Sequence, residues 1–399
     1  MTGAAVAPKT LPRELGVWDC GRPGPTLLVL AGVHGNEPAG VRAVQQVLAA
    51  LQEAELPIAG RLVALAGNLP ALAAGRRFVG RDLNRGWSAW ALAELQERAA
   101  ASGAVVTREA TGACPEDRQQ LELLERFEQA VHRASGPVVF VDLHTSSADG
   151  PPFLCLADTI DNRRLGLATG VPILLGIEET IDGASLEWWS ERGIAALAVE
   201  GGRHEHPATV DNLQAVLWLL LVRLGLLRPG SVDLAPHRAQ LRAAAAGADP
   251  MVEIVHRHAI APDDAFSMEP GFVNFQRVRK GQLLARDRNG SILAPYDCCV
   301  MLPLYQALGD DGFFLARPVG RLRRLATNCL RRLRLDALLH WLPGVRRDPD
   351  DPLTILVEPW LLRWLPRGLP ALLGFRKWRR RGDRLAFTAR WSRTENRRL

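Results

Sequence analysis

The sequence predicts an α/β protein: a doubly wound, largely parallel sheet over residues 15–228, a small β-rich domain over 251–318, and a basic extension over 321–399. Three observations carry this. Short, continuous apolar runs recur, and such runs mark strands buried on both faces. Stretches of helical period lie between them, and this alternation is the signature of parallel strands joined by crossover helices. A Pro/Gly/Ala-rich stretch at 229–250 then closes the first region, and composition shifts again at 321 towards Arg, Leu and Trp.

The first run, Leu27-Leu28-Val29-Leu30, leads into Ala31-Gly32-Val33-His34-Gly35-Asn36-Glu37-Pro38. Proline suits a first helical turn because the N–H it lacks would be unpaired there, and Val41 to Leu51 follows with helical period. Arg61–Gly67 reads as a second buried strand. The loop after it, Gly75 to Arg85, holds arginines close to Asp82-Leu83-Asn84-Arg85. Residues 88–101 and 116–134 look helical, with 102–115 a Gly/Ala/Thr-rich loop between them. Pro137–His144 is another strand, Ile173–Ile177 a short one, and Gly193–Gly202 repeats the pattern of strand, polar residue, turn. Asp211–Leu227 is a long helix. Beyond 250, Met251–Ile260, Val273–Val278 and Gln282–Ala285 read as strands, and Asn289-Gly290 is a hairpin signal.

With 47% hydrophobic and 23% charged residues over 399 positions, the chain has the composition of an ordinary globular protein with room for two or three domains. Six cysteines without CxxC spacing point to reduced thiols and a cytoplasmic protein. Met1–Leu15 lacks the apolar core of a signal peptide. Leu213–Leu227 is interrupted by Arg223 and too short to span a bilayer comfortably. The net charge of +6 conceals an asymmetry, since residues 321–399 hold 20 Arg and Lys against 7 Asp and Glu.

His34, His144 and Glu200 fall at the carboxyl ends of predicted parallel strands, and parallel pairing brings such ends to one edge. With Glu37 beside His34, two histidines and one carboxylate match the ligand set of catalytic zinc, which keeps a position open for water. Zinc lowers the pKa of that water, Glu200 is placed to take its proton and return it to a leaving nitrogen, and an arginine of the 76–85 loop can hold an oxyanion. Each residue taken alone has a plainer reading. His-x-x-Glu at a turn is usually a surface pair, a strand-end histidine is usually hydrogen-bonded core, and Asp82 or Asn84 could simply cap a helix. The coincidence of all of them at matching places in the topology favours a metal site.

These motifs, in this order, resemble the succinylglutamate desuccinylase/aspartoacylase family, which is similar to the zinc carboxypeptidases. Gly32-Val33-His34-Gly35-Asn36-Glu37, Arg77 with Asp82-Leu83-Asn84-Arg85, Asp142-Leu143-His144 and Val199-Glu200-Gly201-Gly202 carry the resemblance. Gly271-Phe-Val-Asn-Phe and Lys280-Gly-Gln-Leu-Leu-Ala extend it over roughly residues 15–318. The resemblance implies a zinc-carboxypeptidase-like fold, with one zinc held by His34, Glu37 and His144 and Glu200 as general base and acid. It implies that Arg77 polarises the scissile carbonyl, and that Asn84 and Arg85, with Asp82 in the same motif, bind the substrate. The implied reaction is hydrolysis of a small, carboxylate-bearing N-acyl amino acid, with the β domain covering the mouth of the site. A family tyrosine has no clear counterpart in Tyr296 or Tyr305. Arg192 reads as a solvated helix-end residue, His204 and His206 as shaping the site, and His256 and His258 as structural.

Two alternatives stand beside this reading: a zinc carboxypeptidase, and a non-catalytic ligand-binding or membrane-surface adaptor protein. The extension contains Trp341, Trp360, Trp364, Trp378 and Trp391 among arginine clusters. Weak contact with an anionic membrane through 321–399, with the protein peripheral to it, fits that composition. A plain appended domain or a homo-oligomer contact fits it as well. No specific nucleic-acid partner is expected.

Overall fold

The computed structural model describes residues 11–101, 114–333, 335–351, 354–361 and 372–389. Most of the loop expected at 102–115 therefore lies outside the described residues. The first part runs β1 (Glu14–Asp19), β2 (Thr26–Ala31), α1 (Ala39–Glu53), β3 (Arg61–Ala66), α2 (Leu69–Ala74), α3 (Ala89–Ala101), α4 (Pro115–His132) and β4 (Val138–Ser146). It continues through β5 (Phe153–Leu156), α5 (Ile160–Thr169), β6 (Ile173–Leu175), α6 (Ile177–Thr180), α7 (Ser185–Glu191), β7 (Ala195–Arg203), α8 (Ala208–Arg223) and α9 (Ala235–Ala244). Helix α9 sits inside the stretch expected to be a linker. Its apolar Leu241 is buried against α8, which is enough to fold an otherwise polar segment.

Strands β3, β2, β4 and β7 lie side by side and parallel, with β1 antiparallel on the outer edge. Strand alternation explains the continuous apolar runs. Leu27, Val29 and Ala31 of β2 face one core with α1 and α8, while Leu28 and Leu30 face another with α4 and α7. Both faces of the sheet are covered by helices, as a doubly wound fold requires. Phe140 stacks on Trp189 in the second core, with ring centroids 4.9 Å apart.

The sheet is not parallel throughout. Strand β5, which the sequence reading missed, runs antiparallel to β7. The connection from β4 is only residues 147–152, too short for a crossover to the other end of the sheet, so the chain must turn straight back. Strand β6 then pairs parallel with β5.

The later region holds β8 (Met251–Ala259), β9 (Ser267–Met268), β10 (Gln276–Val278), β11 (Leu283–Asp287), β12 (Gly290–Leu293), β13 (Cys298–Met301) and β14 (Asp311–Pro318). Strand β8 pairs parallel with β6, with Ile173 beside Met251, so the large sheet continues into this region. It ends β8-β14-β13-β10, eleven strands in all, while β12, β11 and β9 form a separate small sheet. A third core, including Phe272, Leu284, Val300 and Phe313, lies in this region. The predicted hairpin forms between β11 and β12, with Arg288 and Asn289 as its turn. After it come α10 (Arg321–Arg332), β15 (Val345–Arg347), β16 (Thr354–Val357), β17 (Phe375–Arg381) and β18 (Arg384–Ala389), the strands forming an antiparallel sheet in the order β15-β16-β18-β17. No described helix is long and apolar enough to cross a membrane.

The turn after β2 is held by close backbone approach. Gly32 sits at φ +73°, and a Cβ on Gly35 would lie 2.0 Å from the carbonyl carbon of Ala71 in α2. Gly35→Ala should therefore cost at least about 1–3 kcal/mol in urea unfolding, as overpacked positions do. Gly75→Ala, at φ +61° but with nothing within 4 Å, should cost only about 1 kcal/mol. Equal losses would refute the close-approach argument.

Candidate metal centre and active-site pocket

The chain leaves β2 towards β3 on one side and returns to β4 on the other, so the crevice beyond β2 and β4 is a topological switch point. His34 and Glu37 follow β2, and Glu37 is fixed by the backbone bond from its own N–H to the His34 carbonyl at 3.2 Å, just ahead of α1. His144 lies in β4 and Glu200 in β7, directly opposite each other in the parallel register. Both strands run past these residues, to Ser146 and Arg203, with a register shift after His144. Asp142, His144 and Glu200 share the parity of Phe140 and Ala196, so they emerge on the α4/α7 face of the sheet.

His34, Glu37 and His144 are all buried, and one donor atom from each lies within 4.8 Å of the others. The two imidazoles are arranged alike. His34 Nδ1 is 2.9 Å from Glu37 Oε1, and His144 Nδ1 is 3.3 Å from Glu37 Oε2. Their other nitrogens face outer carboxylates, His34 Nε2 at 3.1 Å from Asp82 and His144 Nε2 at 3.2 Å from Asp142. An Nε2–H donated to a carboxylate fixes the tautomer and leaves Nδ1 as the ligating atom, the usual support for a metal-bound histidine. The Thr145 N–H donates to Glu37 Oε2 at 2.9 Å, and Ser185 Oγ donates to Asp142 at 2.9 Å.

Electrostatics fit a cation at this place. Burial opposes charge on Glu37, yet His34 and His144 hold its carboxyl well below the usual carboxylate range. Burial likewise disfavours a charged His144, but Asp142 and Glu37 hold its pKa well above the ordinary imidazole value. A proton thus stands where the acids call for positive charge, and metal binding releases such protons.

Glu200 differs from the other acids. Burial is the main cause of its rise to about 7, Glu37 adds to it, and His144, His34 and Arg77 only moderate it. Its Oε2 has no hydrogen-bond partner. A buried carboxyl poised near neutrality with an open oxygen has the properties of a general base.

His34, Glu37, His144, Thr145 and Glu200 line one cavity of about 150 Å³, together with Arg77, Asn84 and Arg85. Arg77 is largely buried and donates to Asp82 at 2.9 Å, with a second guanidinium nitrogen 3.7 Å from Glu37. Asn84 accepts from the Ser185 N–H at 2.8 Å, which leaves its NH2 for a ligand. Arg85 is paired with Asp311 at 3.1 Å, and Arg257 also pairs with Asp311. Asp82, expected among the substrate-binding residues, is instead a positioning residue. One oxygen serves His34 and the Asn84 N–H and the other serves Arg77, so none remains for a substrate.

Several neighbours escaped the sequence reading. Cys155, Ile177, Ile181, Leu186 and Phe314 form an apolar part of the wall, and Leu304 and Gln306 line it from the β13–β14 loop. Nothing local marks them, because they come from separate elements, β5, α6 and its end, α7, β14 and the loop before β14, that meet only in the fold. Burial pushes the Cys155 thiol well up, so it stays protonated and inert. His204 hydrogen-bonds Thr145 Oγ1 at 2.6 Å and Gln306 at 3.1 Å, two residues that line the cavity, whereas His206 accepts from the Ala208 N–H at α8. Arg192 lies over the Trp188 ring, away from the cavity, and neither Tyr296 nor Tyr305 lines it.

Residues 23–166 match the model of the succinylglutamate desuccinylase/aspartoacylase catalytic domain. The match covers 144 of the 399 residues. It carries His34, Glu37, Arg77, the Asp82–Arg85 motif and His144, and stops before Glu200. A succinylglutamate desuccinylase from Burkholderia lata is 28% identical over 278 residues, 66% of this chain and 70% of that one. One from Yersinia enterocolitica is 40% identical over 60 residues, 15% of this chain and only 18% of that relative's length. Among solved structures, a succinylglutamate desuccinylase/aspartoacylase from Rhodobacter sphaeroides has a TM-score of 0.53 at 20% identity, covering 75% of this chain and 87% of that one. The product-bound ectoine utilization protein EutE (DoeB) from Ruegeria pomeroyi has a TM-score of 0.51 at 20% identity with the same coverage. At such identities these structures speak for the fold: mixed α/β with a large, mostly parallel central sheet.

The Glu200 carboxyl binds its proton more tightly folded than unfolded, so its contribution to stability is present below the unfolded carboxylate range. That contribution is lost as pH rises through about 7. Glu200→Gln should therefore raise the unfolding temperature of metal-free protein more at pH 8 than at pH 5. A gain that is the same at both pH values would contradict a raised Glu200.

Proposed function

We propose that the chain is a zinc-dependent hydrolase of its family that cleaves the amide bond of a small, carboxylate-bearing N-acyl amino acid. The observation that carries this reading is the buried His34–Glu37–His144 cluster with the unpartnered oxygen of Glu200 in the same cavity. The two Nδ1 atoms and the Glu37 carboxylate would hold one zinc ion, with Asp82 and Asp142 fixing the imidazoles. Zinc bound there supplies a Lewis acid and makes water ionisable near neutral pH.

The remaining chemistry belongs to the side chains. Asn84 and Arg85 hold the substrate carboxylate and set the amide over the cluster. Arg77 donates to the carbonyl oxygen as it gains charge. Glu200 takes a proton from the attacking water as the C–O bond forms, then gives it to the nitrogen as the C–N bond breaks. The wall of Ile177, Ile181, Leu186 and Phe314 receives the apolar portion of the substrate. A cavity of about 150 Å³ roofed by Leu304 and Gln306 suits an acyl amino acid better than a peptide, which counts against the carboxypeptidase alternative.

Purified protein should contain about one zinc per chain and release a free amino acid from a panel of N-acetyl- and N-succinyl-amino acids. Protein that neither contains zinc nor gains hydrolysis on its addition would end this reading, and cleavage of blocked peptides alone would replace the substrate class. Glu200→Gln should lower kcat by about 10²–10⁴-fold while retaining zinc. Asp142→Asn should weaken zinc binding about 10–100-fold in a chelator competition, as loss of a histidine's outer partner does.

A further inference from the structure

Helix α10 is docked with its polar side inward. Arg331 is 4% exposed and donates to the Asp158 carboxylate at 2.9 Å and to the Asp158 carbonyl. Thr327 is 3% exposed, and Arg323 pairs with Glu253 of β8. The opposite side carries Leu322, Leu325, Cys329 and Leu333, whose spacing places them in one stripe along the helix. Leu322 is 83% exposed, Leu325 65% and Leu333 64%. An ordinary surface helix turns its apolar stripe to the core. Nearby in the chain, Trp341 is 75% exposed and Trp360 50%.

We propose that this face is a docking surface for an anionic lipid bilayer, with α10 lying in the plane of the interface. Charge decides between the occupants. Residues 321–399 hold 20 basic against 7 acidic residues, so two copies joined through this face would bring like charges together. A nucleic-acid backbone would take the arginines but leave the leucine stripe with no apolar partner. Anionic lipid satisfies both, with headgroups meeting the exposed Arg321 and the acyl boundary receiving leucine and tryptophan. The anchor at Asp158 lies beyond the end of β5, whose first residue, Phe153, is the one beside Glu200. The face is thus fixed at the end of that strand remote from the metal cluster.

The test is co-sedimentation of the full chain with phosphatidylcholine vesicles containing about a third phosphatidylserine. The protein should pellet with these, not with pure phosphatidylcholine, and less so as salt is raised. Substituting Leu322→Ser, Leu325→Ser and Leu333→Ser together should weaken binding by about tenfold or more, with hydrolysis unchanged. Should that variant fail to fold by circular dichroism, Trp341→Ser replaces it, with a loss of about threefold expected. The proposal is overturned if the intact chain ignores anionic vesicles, or if the folded variant binds them as well as wild type does. It is equally overturned if wild type is a dimer that the triple substitution makes monomeric, or if duplex DNA displaces the vesicles.

Discussion

Five buried acids crowd around one small space, and much of the site is arranged to make that tolerable. Glu37, Asp82, Asp142, Glu178 and Glu200 are each less than a tenth exposed, yet among the described residues the bases lining the cavity are two imidazoles, Arg77 and an arginine already paired with Asp311. An unpaired buried carboxylate is costly, so each must be hydrogen-bonded, paired or protonated. Asp82 is satisfied by His34 and Arg77, and Glu37 by both histidines and the Thr145 N–H, while Asp142 is held by His144 and Ser185 through one oxygen only. Glu200 meets the shortage differently: burial and Glu37 push its carboxyl up to about 7, and the proton it takes up spares it a buried charge. Its raised pKa and its cost to the fold have the same origin.

The sheet supplies the precision. Parallel register sets His144 against Glu200, and strand parity turns Asp142, His144 and Glu200 to the same face. A slip of one residue in either strand would send one of these polar side chains into the core packed by α1 and α8. The Arg77–Arg85 loop is tied in from the other side by Gly35, Asp82 and Ser185, so the His34–Glu37–His144 cluster and the cavity-lining Asn84 and Arg85 share one set of supports.

Much of this was legible because it is local. The apolar runs ending near His34, His144 and Glu200 show buried strands, and parallel strands bring such ends together whatever lies between them. What stayed hidden depends on pairing at a distance. Asp82 reads equally well as a cap or a ligand until His34 and Arg77 are seen to use both its oxygens. Met251–Ala259 has the same pattern whether it opens a separate sheet or joins β6. The partnership of Arg85 with Asp311 spans 226 residues, and no motif announces it. Composition alone marks no helix at α10, and only the contacts of Arg331 and Arg323 show which of its faces turns inward.

The Arg85–Asp311–Arg257 arrangement bears on how an anion enters. Arg85 is not waiting bare in the cavity; an internal carboxylate already occupies it, and Arg257 holds the same carboxylate from the other side. If Asn84 and Arg85 take a substrate carboxylate as proposed, an incoming carboxylate would act as a competitor, exchanging one ion pair for another while Asp311 keeps its second partner. Little charge would be desolvated anew, and occupancy would be governed by the difference between two similar contacts. A ligand lacking a carboxylate would then leave the internal pair closed, and the doorway itself would do part of the sorting.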